Sequence, residues 1–278
     1  MLQGREISIM KIKLFLGIII AALLGFSAIL APLIVRYDPL EMNLDSNRQL
    51  NPPSLRNIFG TDNLGRDVFS RMVYGGRVSM SVGFTAVFIS VFIGVILGAL
   101  SGYYGGWVDY LITRLIEIMY CMPVFFLIML VITFIGPGIF NVMIVIGLTS
   151  WPGIARLVRG EFLTLRERDF VLSARLSGAS SARIIFKHIL PNALHPVYVS
   201  FALGIGSSIL TESALSFLGM GVQIPTASWG NILSGARSYI DHAWWLFLFP
   251  GIAIFLSVFA FNLIGESLRE IYEPKIGD

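Results

Sequence analysis

Long runs of uncharged, apolar residues constrain this 278-residue chain more than any other feature of its sequence. A bilayer hydrocarbon core of ~30 Å is crossed by about 20 apolar residues in a helix. Charged residues make up only 13% of the chain, whereas ordinary soluble domains contain about 25%. The sequence therefore predicts an all-α membrane protein. The apolar runs are Leu14–Val35, Val78–Val108, Ile118–Ala155, Ile189–Thr211 and Ala243–Gly265.

The third run is too long for one helix, and Gly136-Pro137-Gly138 marks a turn near its middle. We therefore predict six transmembrane helices. The first run follows Arg5, Lys11 and Lys13, so a cleaved signal peptide is an alternative to a retained span. Its long apolar stretch and the lack of a clear small-residue cleavage site favour the retained span. The predicted spans are 13–35, 78–101, 109–135, 138–158, 192–216 and 243–266.

Basic residues predict the orientation, because cytoplasmic loops are enriched in lysine and arginine. The densest basic group lies between the fourth and fifth spans, which places that loop and both termini in the cytoplasm. Residues 1–76 then hold an N-terminal tail, the first span and an external segment. Residues 77–267 form a five-helix core, and 268–278 form a cytoplasmic tail. The basic group consists of Arg156, Arg159, Arg166, Arg168, Arg175, Arg183 and Lys187.

The predicted cytoplasmic loop, residues 159–192, has charged residues at both ends and small residues in its middle. Its sequence is RGEFLTLRERDFVLSARLSGASSARIIFKHILPN. In a helix, the three- and four-residue spacing would place one aromatic and four small residues on one side. Such a face lets another backbone come close, although an ordinary amphipathic connector on the membrane surface would show the same pattern. The residues of this face are Phe170, Ala174, Ser177, Gly178 and Ser181.

The same loop resembles the EAA loop of ABC importer permeases, in which Glu-Ala-Ala, three residues and Gly precede an Ile-x-Leu-Pro element. Ala174 and Gly178 match in place, and Ile189-Leu190-Pro191 resembles the closing element. Leu172 and Ser173 stand where the family has Glu and Ala. This departure puts in doubt any salt bridge made through that Glu, but it leaves the small-residue face.

Four further motifs resemble the dipeptide, oligopeptide and nickel branch of this family. By this resemblance the chain is identified as a C-type permease subunit with the type I ABC importer permease fold. The resemblance implies six transmembrane helices and a cytoplasmic coupling helix. The motifs are Phe59–Asp67 (FGTDNLGRD), Ser213–Gly219 (SALSFLG), Pro225–Gly230 (PTASWG) and Phe249–Leu263.

In the family the loop forms a short coupling helix, here at about 169–182, which docks into a groove of the ATPase subunit. When ATP closes the two ATPases, each coupling helix would move as a rigid body and tilt the spans. The residues carried over as docking candidates are Asp169, Phe170, Ala174, Gly178 and Ala179.

The implied partners are a second homologous permease subunit, two ATPase subunits, an extracytoplasmic solute-binding protein and membrane lipid. The sequence contains no G-x-x-x-x-G-K-[ST], so ATP and Mg²⁺ are expected to be used by the ATPases, and this chain is expected to bind no cofactor. Its basic residues are dispersed, which gives no support for a nucleic-acid partner. The expected location is a bacterial or archaeal plasma membrane.

Three residues within the predicted spans are candidates for a pore or gate. Glu212 is the only charged residue between Lys187 and Arg237, and a carboxylate at the membrane centre costs about 2.5–3.5 kcal/mol on insertion scales. The alternative is a carboxylate bonded to a neighbouring helix, or exposed to water, at the outer end of the fifth span. Met119 and Met122 could supply sulfur ligands to a soft metal, but methionine is also an ordinary packing residue.

The sequence predicts transport and no covalent chemistry, since neither a zinc-type ligand spacing nor a catalytic pair is visible. The string at 170–178, FVLSARLSG, is closer to the nickel branch, so nickel or a metal chelate is the primary substrate prediction. Di- or oligopeptides are the alternative. A stand-alone channel or secondary transporter would need intramembrane ion sites, and only Glu212 suggests one.

Overall fold

The computed structural model describes residues 2–45 and 48–272, so part of the predicted tail at 268–278 lies outside the described residues. The described chain is helical, and its single β-bridge joins Thr61 to Asp67. A π-helical stretch, Ile184–Ile189, connects α8 to α9. The helices are α1 Leu2–Ile29, α2 Ala31–Ile34, α3 Val68–Tyr104, α4 Gly106–Tyr120, α5 Val124–Ile135, α6 Ile139–Leu165, α7 Asp169–Leu176, α8 Ser181–Arg183, α9 Leu190–Ala193, α10 His195–Phe217, α11 Trp229–Ala236 and α12 Trp245–Tyr272.

Five of these helices are long and apolar enough to cross a membrane: α1 from Met10 onward, α3, α6, α10 and α12. Helices α4 and α5 form a sixth span only if they are counted together, because they bend by 86° at residues 121–123. The span predicted for 109–135 is therefore two helices joined at a sharp bend and not one continuous helix. Pro123 explains the break, since proline lacks an N–H and disfavours helical backbone at the preceding residue.

Helix α3 begins at Val68, well before the start predicted at residue 78. Asp67 caps it, because its side chain accepts a hydrogen bond from the backbone N–H of Ser70 over 2.8 Å. Residues 76 and 77 therefore lie inside one helix, although the sequence predicted the end of an external segment and the start of the five-helix core there.

Helices α3 and α6 pack closely along a row of glycines spaced four residues apart. A Cβ added to Gly98 would lie 2.5 Å from the carbonyl oxygen of Ala155. At Gly94 and Gly102, an added Cβ would lie 2.7 Å and 2.5 Å from the Cβ atoms of residues 154 and 162. Small residues at this spacing let two membrane helices approach each other, so these three glycines position α6 against α3.

Helix α10 lies between α3 and α12. A Cβ on Gly83 of α3 would contact Ile209 of α10, and one on Gly265 of α12 would contact Leu203 of α10. Helix α1 packs on the other side of α12, where an added Cβ on Gly17 would lie 2.8 Å from a backbone oxygen of α12. This packing favours the retained first span over the signal-peptide alternative.

The two ends of the bundle carry different connecting segments. One end, called the α7 end, holds α7 and the start of α4. The other, called the α11 end, holds residues 36–45 and 48–67, α11 and the start of α12. Indole N–H groups fasten the α11 end: Trp229 donates to the Met72 carbonyl over 3.0 Å, and Trp245 donates to the Thr61 carbonyl over 3.1 Å.

Candidate functional site

Helix α7 is held on the bundle through one buried residue. Val171 is 0% exposed and belongs to an apolar cluster that includes Val158 and Phe162 of α6 and Ile184 and Ile189 of the π-helical stretch. All four of these neighbours are also at most 1% exposed. A fully buried side chain of this kind fixes the position of a short helix that could not be stable alone. Helix α7 therefore shares a core with the membrane-spanning helices.

Polar contacts strengthen the same end of the bundle. Arg166, which follows α6, donates to the carbonyl oxygens of Gly102 and Tyr103 at the C-terminus of α3, over 3.3 and 3.4 Å. Arg159 of α6 forms a bidentate ion pair with Asp109 of α4, at 2.5 and 2.8 Å. Bidentate arginine–carboxylate pairs are geometrically specific. The C-terminus of α6, from which α7 departs, is thus tied to both α3 and α4.

Three large apolar side chains of α7 are exposed. Phe170 is 43% exposed, Leu172 is 42% exposed and Leu176 is 90% exposed. Asp169 lies in the first turn, where a carboxylate interacts favourably with the helix dipole. Leu172 and Leu176 share one side of the helix by their four-residue spacing, and exposed apolar side chains of this kind mark interaction surfaces.

The predicted coupling helix at 169–182 is wrong in its length, because α7 ends at Leu176. Gly178 has a φ of +79°, which L-residues rarely adopt. The N–H of Gly178 donates to the Arg175 carbonyl, and the N–H of Ala179 donates to the Ala174 carbonyl. This is the Schellman arrangement that ends many helices at glycine. The small-residue face predicted through Ser177, Gly178 and Ser181 is therefore not formed by one helix.

The five predicted docking residues divide into two groups. Asp169, Phe170 and Gly178 are exposed. Ala174 is half-buried, and Ala179 packs against the apolar cluster beneath α7. Sequence reasoning missed Leu172 and Leu176 as surface residues because it placed them on the side away from the docking face. Their apolar character on a helix with one buried valine is the signal that could have identified them.

Glu212 lies inside the bundle at 0% exposure. Its carboxylate accepts hydrogen bonds from the hydroxyls of Ser79 of α3 and Ser216 of α10, over 2.9 and 2.7 Å. Within the described residues it forms no ion pair. These contacts match the alternative in which the carboxylate is bonded to a neighbouring helix. Glu212 does not reach solvent in this conformation, and a pore or gate role for it stays a prediction.

The two candidate methionines occupy different environments beside the break between α4 and α5. Met119 packs against a buried cluster that includes Ile116 and Trp151. Met122 is 46% exposed and lies in the break itself. No group of three or more histidine, cysteine, aspartate or glutamate side chains able to hold a metal ion occurs in the part of the chain that the structure describes. The structure does not bring Met119 and Met122 together with Glu212.

Residues 94–278 match the family model described as the inner membrane component of binding-protein-dependent transport systems. The dipeptide transport system permease protein DppC of Alkalihalophilus pseudofirmus is 44% identical and is aligned over 94% of this chain and 85% of its own. The di/tripeptide permease DppC of Pseudomonas aeruginosa is 41% identical over 94% of this chain and 87% of its own. The glutathione permease GsiD of Shigella flexneri is 46% identical over 90% of this chain and 82% of its own.

Solved structures agree on the fold. An inward-facing structure of the MetNI methionine ABC transporter aligns with a TM-score of 0.53 at 20% identity, covering 72% of this chain and 97% of the other. An amino acid ABC transporter crystallised with histidines aligns with a TM-score of 0.51 at 16% identity, covering 75% and 93%. The permeases of this family work with ATPases and substrate-binding proteins and are transport components, not enzymes. The chain therefore belongs to the binding-protein-dependent inner-membrane permeases of ABC importers, as a C-type subunit of the peptide/nickel branch.

Proposed function

We propose that this chain is one of two permease subunits of an importer for di- or oligopeptides. The names of its relatives are the observation that carries this proposal. Proteins that are 41–46% identical over at least 90% of the chain are named for dipeptide, di/tripeptide and glutathione transport. Nickel, the primary substrate prediction from the sequence, is named by none of these three. The peptide alternative is thus the better supported one.

In the proposed complex, α7 docks on an ATPase subunit through Phe170, Leu172 and Leu176. Support for this comes from the exposure of these three apolar side chains and from the burial of Val171, which fixes α7 to the bundle. A helix fixed to the bundle by a shared core transmits displacement as a rigid body. Movement of the ATPase would consequently reach α6 and α3 without being absorbed by a flexible loop.

The proposed orientation places the α7 end and both termini in the cytoplasm. The α11 end then faces the solute-binding protein. The basic residues of the loop that contains α7 support this direction, because short cytoplasmic loops are enriched in lysine and arginine. ATP and Mg²⁺ would act on the partner ATPases, since this chain has no P-loop sequence.

Uptake by the complete complex tests the substrate assignment. The two permeases, the ATPases and the binding protein are reconstituted into proteoliposomes, and accumulation of a radiolabelled dipeptide such as Ala-Phe is compared with that of radiolabelled nickel. We expect ATP-dependent accumulation of the dipeptide. Accumulation of nickel alone would overturn the peptide assignment, and dipeptide flux that is independent of ATP and of the ATPase subunits would indicate a stand-alone channel.

A further inference from the structure

A cavity of about 790 Å³ opens at the α11 end, on the face of α3 that does not pack against α10. Its walls come from residues 35–40, from the early turns of α3 and from Thr226 and Ala227 in the segment before α11. Ligand sites for small molecules typically measure about 300–1,000 Å³. The volume is therefore suitable for a molecule of dipeptide size.

The lining combines charges of both signs with aromatic rings. Arg36 and Arg77 line the cavity together with Asp38. Tyr37 and Tyr74 also line the cavity. The guanidinium carbon of Arg36 lies 5.8 Å from the centroid of the Tyr37 ring, and that of Arg77 lies 5.7 Å from the centroid of the Tyr74 ring. Among the described residues neither arginine forms an ion pair. Two guanidinium groups are thus available to an anion from outside the chain.

Helix geometry places this cavity at a level that water can reach. Helix α3 has 37 residues and is about 55 Å long at 1.5 Å per residue, which exceeds the ~30 Å hydrocarbon core. The helix therefore extends beyond the membrane, and the span predicted from the sequence, 78–101, leaves its first turns outside the hydrocarbon core. Arg77 lies in the third turn, is exposed, and is followed one turn later by Ser81, which is also exposed and lines the cavity. A charged side chain at this position requires water or a polar partner.

The cavity walls are held in place from behind. Ser79 sits on α3 between Arg77 and Ser81, and its hydroxyl both donates to Glu212 and accepts from the backbone N–H of Trp229. Thr226 and Ala227 form the opposite wall and closely precede Trp229 in the chain. The Ser79 hydroxyl therefore joins α3 directly to the segment that carries Thr226 and Ala227, and such preorganisation favours ligand binding.

We propose that this cavity is a binding site for a zwitterionic peptide, with Arg77 and Arg36 taking the C-terminal carboxylate and Asp38 taking the N-terminal ammonium group. Arginine forks match carboxylates in charge and geometry, and the tyrosine rings supply apolar surface for the peptide side chains. The inference rests on the proposed function, because it deepens the peptide assignment to a site on this chain. In the proposed orientation the site faces the compartment from which the solute-binding protein delivers its cargo.

Direct binding without the solute-binding protein tests this site. The permease–ATPase complex is placed in phosphatidylcholine nanodiscs, and equilibrium binding of Ala-Phe is compared with that of its C-terminal amide. We expect the free acid to bind at least about tenfold more tightly than the amide, as the loss of a charge-assisted hydrogen bond would produce. Arg77→Gln should abolish this preference, and Arg77→Lys should retain part of it. The matched control is Arg48→Gln, an exposed arginine that does not line the cavity.

The outcomes separate this inference from its competitors. Equal binding of acid and amide by the wild type, or an unchanged acid preference in Arg77→Gln, would overturn the peptide site. Displacement of bound Ala-Phe by glycerol phosphate at lower concentrations than by unlabelled Ala-Phe would assign the cavity to a lipid headgroup and would also overturn it. Basal ATPase activity and elution volume establish that each variant complex is assembled. ATP-driven dipeptide uptake by a wild type that shows no binding here would contradict the site and leave the proposed function standing.

Discussion

The hydroxyl of Ser79 on α3 donates a hydrogen bond of 2.9 Å to the carboxylate of Glu212 on α10. The same hydroxyl accepts a bond of 3.2 Å from the backbone N–H of Trp229, the first residue of α11. On the far side of the carboxylate, Ser216 donates to Glu212 and accepts from the N–H of Val222. Through these two serines, one buried carboxylate links α3 and α10 to the chain between them and α11, at Val222 and at Trp229.

Replacing this carboxylate should destabilise the α11 end. Glu212→Ala removes both acceptors, and each buried polar group left without a partner costs about 1–3 kcal/mol. Glu212→Gln retains one carbonyl acceptor and should lower the apparent melting temperature of the purified complex less than Glu212→Ala does. Thermal unfolding followed by tryptophan fluorescence measures the difference, because Trp229 lies beside the network.

Glu167→Ala is the control for loss of a carboxylate, since the side chain of Glu167 is 78% exposed and surface substitutions usually change stability little. Equal melting temperatures for Glu212→Ala and Glu167→Ala would contradict a structural role for the buried network. Protease sensitivity of the segment at 218–228 supplies a local measurement, which should rise in Glu212→Ala and stay unchanged in the control.

A single methyl group at Gly98 should disturb the contact between α3 and α6. The added Cβ would lie 2.5 Å from a backbone oxygen of α6, so the helices must separate, and overpacking of this kind costs about 1–3 kcal/mol. Gly160→Ala is the matched control, because no atom of the described part of the chain lies within 4 Å of a Cβ at that helical position. We expect Gly98→Ala to lower the melting temperature and Gly160→Ala to leave it unchanged or raise it. The reverse order would refute close packing at this contact.

The features that were predictable from the sequence depend on local patterns. Apolar runs identify the membrane helices, and the four-residue glycine spacing at 94–102 is typical of the close helix contact that α3 and α6 make. Pro123 was a visible signal for the break between α4 and α5, but prolines at positions 152 and 250 lie within unbroken helices. Whether a proline breaks a membrane helix depends on its tertiary neighbours.

Other features depend on contacts that no local pattern contains. Ser79, the partner of Glu212, is 133 residues away in the chain. The exposed face of α7 follows from the burial of Val171 against α6 and the π-helical stretch, and helical spacing alone does not state which side of a short helix packs inward. The docking candidates carried over from the family resemblance accordingly include Ala179, which packs inward, and omit Leu176, which is exposed.

A charge on the exposed face of α7 should uncouple ATP hydrolysis from transport. Leu176 is 90% exposed, so Leu176→Asp leaves the fold of this chain intact and places a carboxylate in the proposed ATPase contact, where an unpaired buried charge is strongly unfavourable. We expect dipeptide uptake to fall at least about tenfold, which corresponds to about 1.4 kcal/mol. Uptake and ATPase activity are measured on the same proteoliposomes.

Leu55→Asp is the matched control, since Leu55 is fully exposed in the connecting segment at the α11 end. It should leave co-purification of the ATPase subunits and basal ATPase activity near the wild-type values, because Leu55 lies at the end of the bundle opposite to α7. If Leu176→Asp also kept wild-type uptake and wild-type ATPase stimulation, α7 would not dock through this face. Co-purification of the ATPase subunits reports whether a loss of uptake comes from weaker assembly.

Substitutions at Gly178 separate two explanations for a glycine at this position of the loop. If glycine serves only to end α7 at a φ of +79°, Gly178→Asn should remain close to wild type in uptake, because asparagine tolerates the left-handed region. Gly178→Ala and Gly178→Val should then lower stability, with the β-branched valine the more harmful. If the ATPase backbone instead approaches Gly178, the asparagine side chain should impair uptake as strongly as Gly178→Trp does. Since none of the residues that the structure describes lies within 4 Å of a Cβ at Gly178, impairment by asparagine without a loss of melting temperature would indicate a contact with the partner subunit.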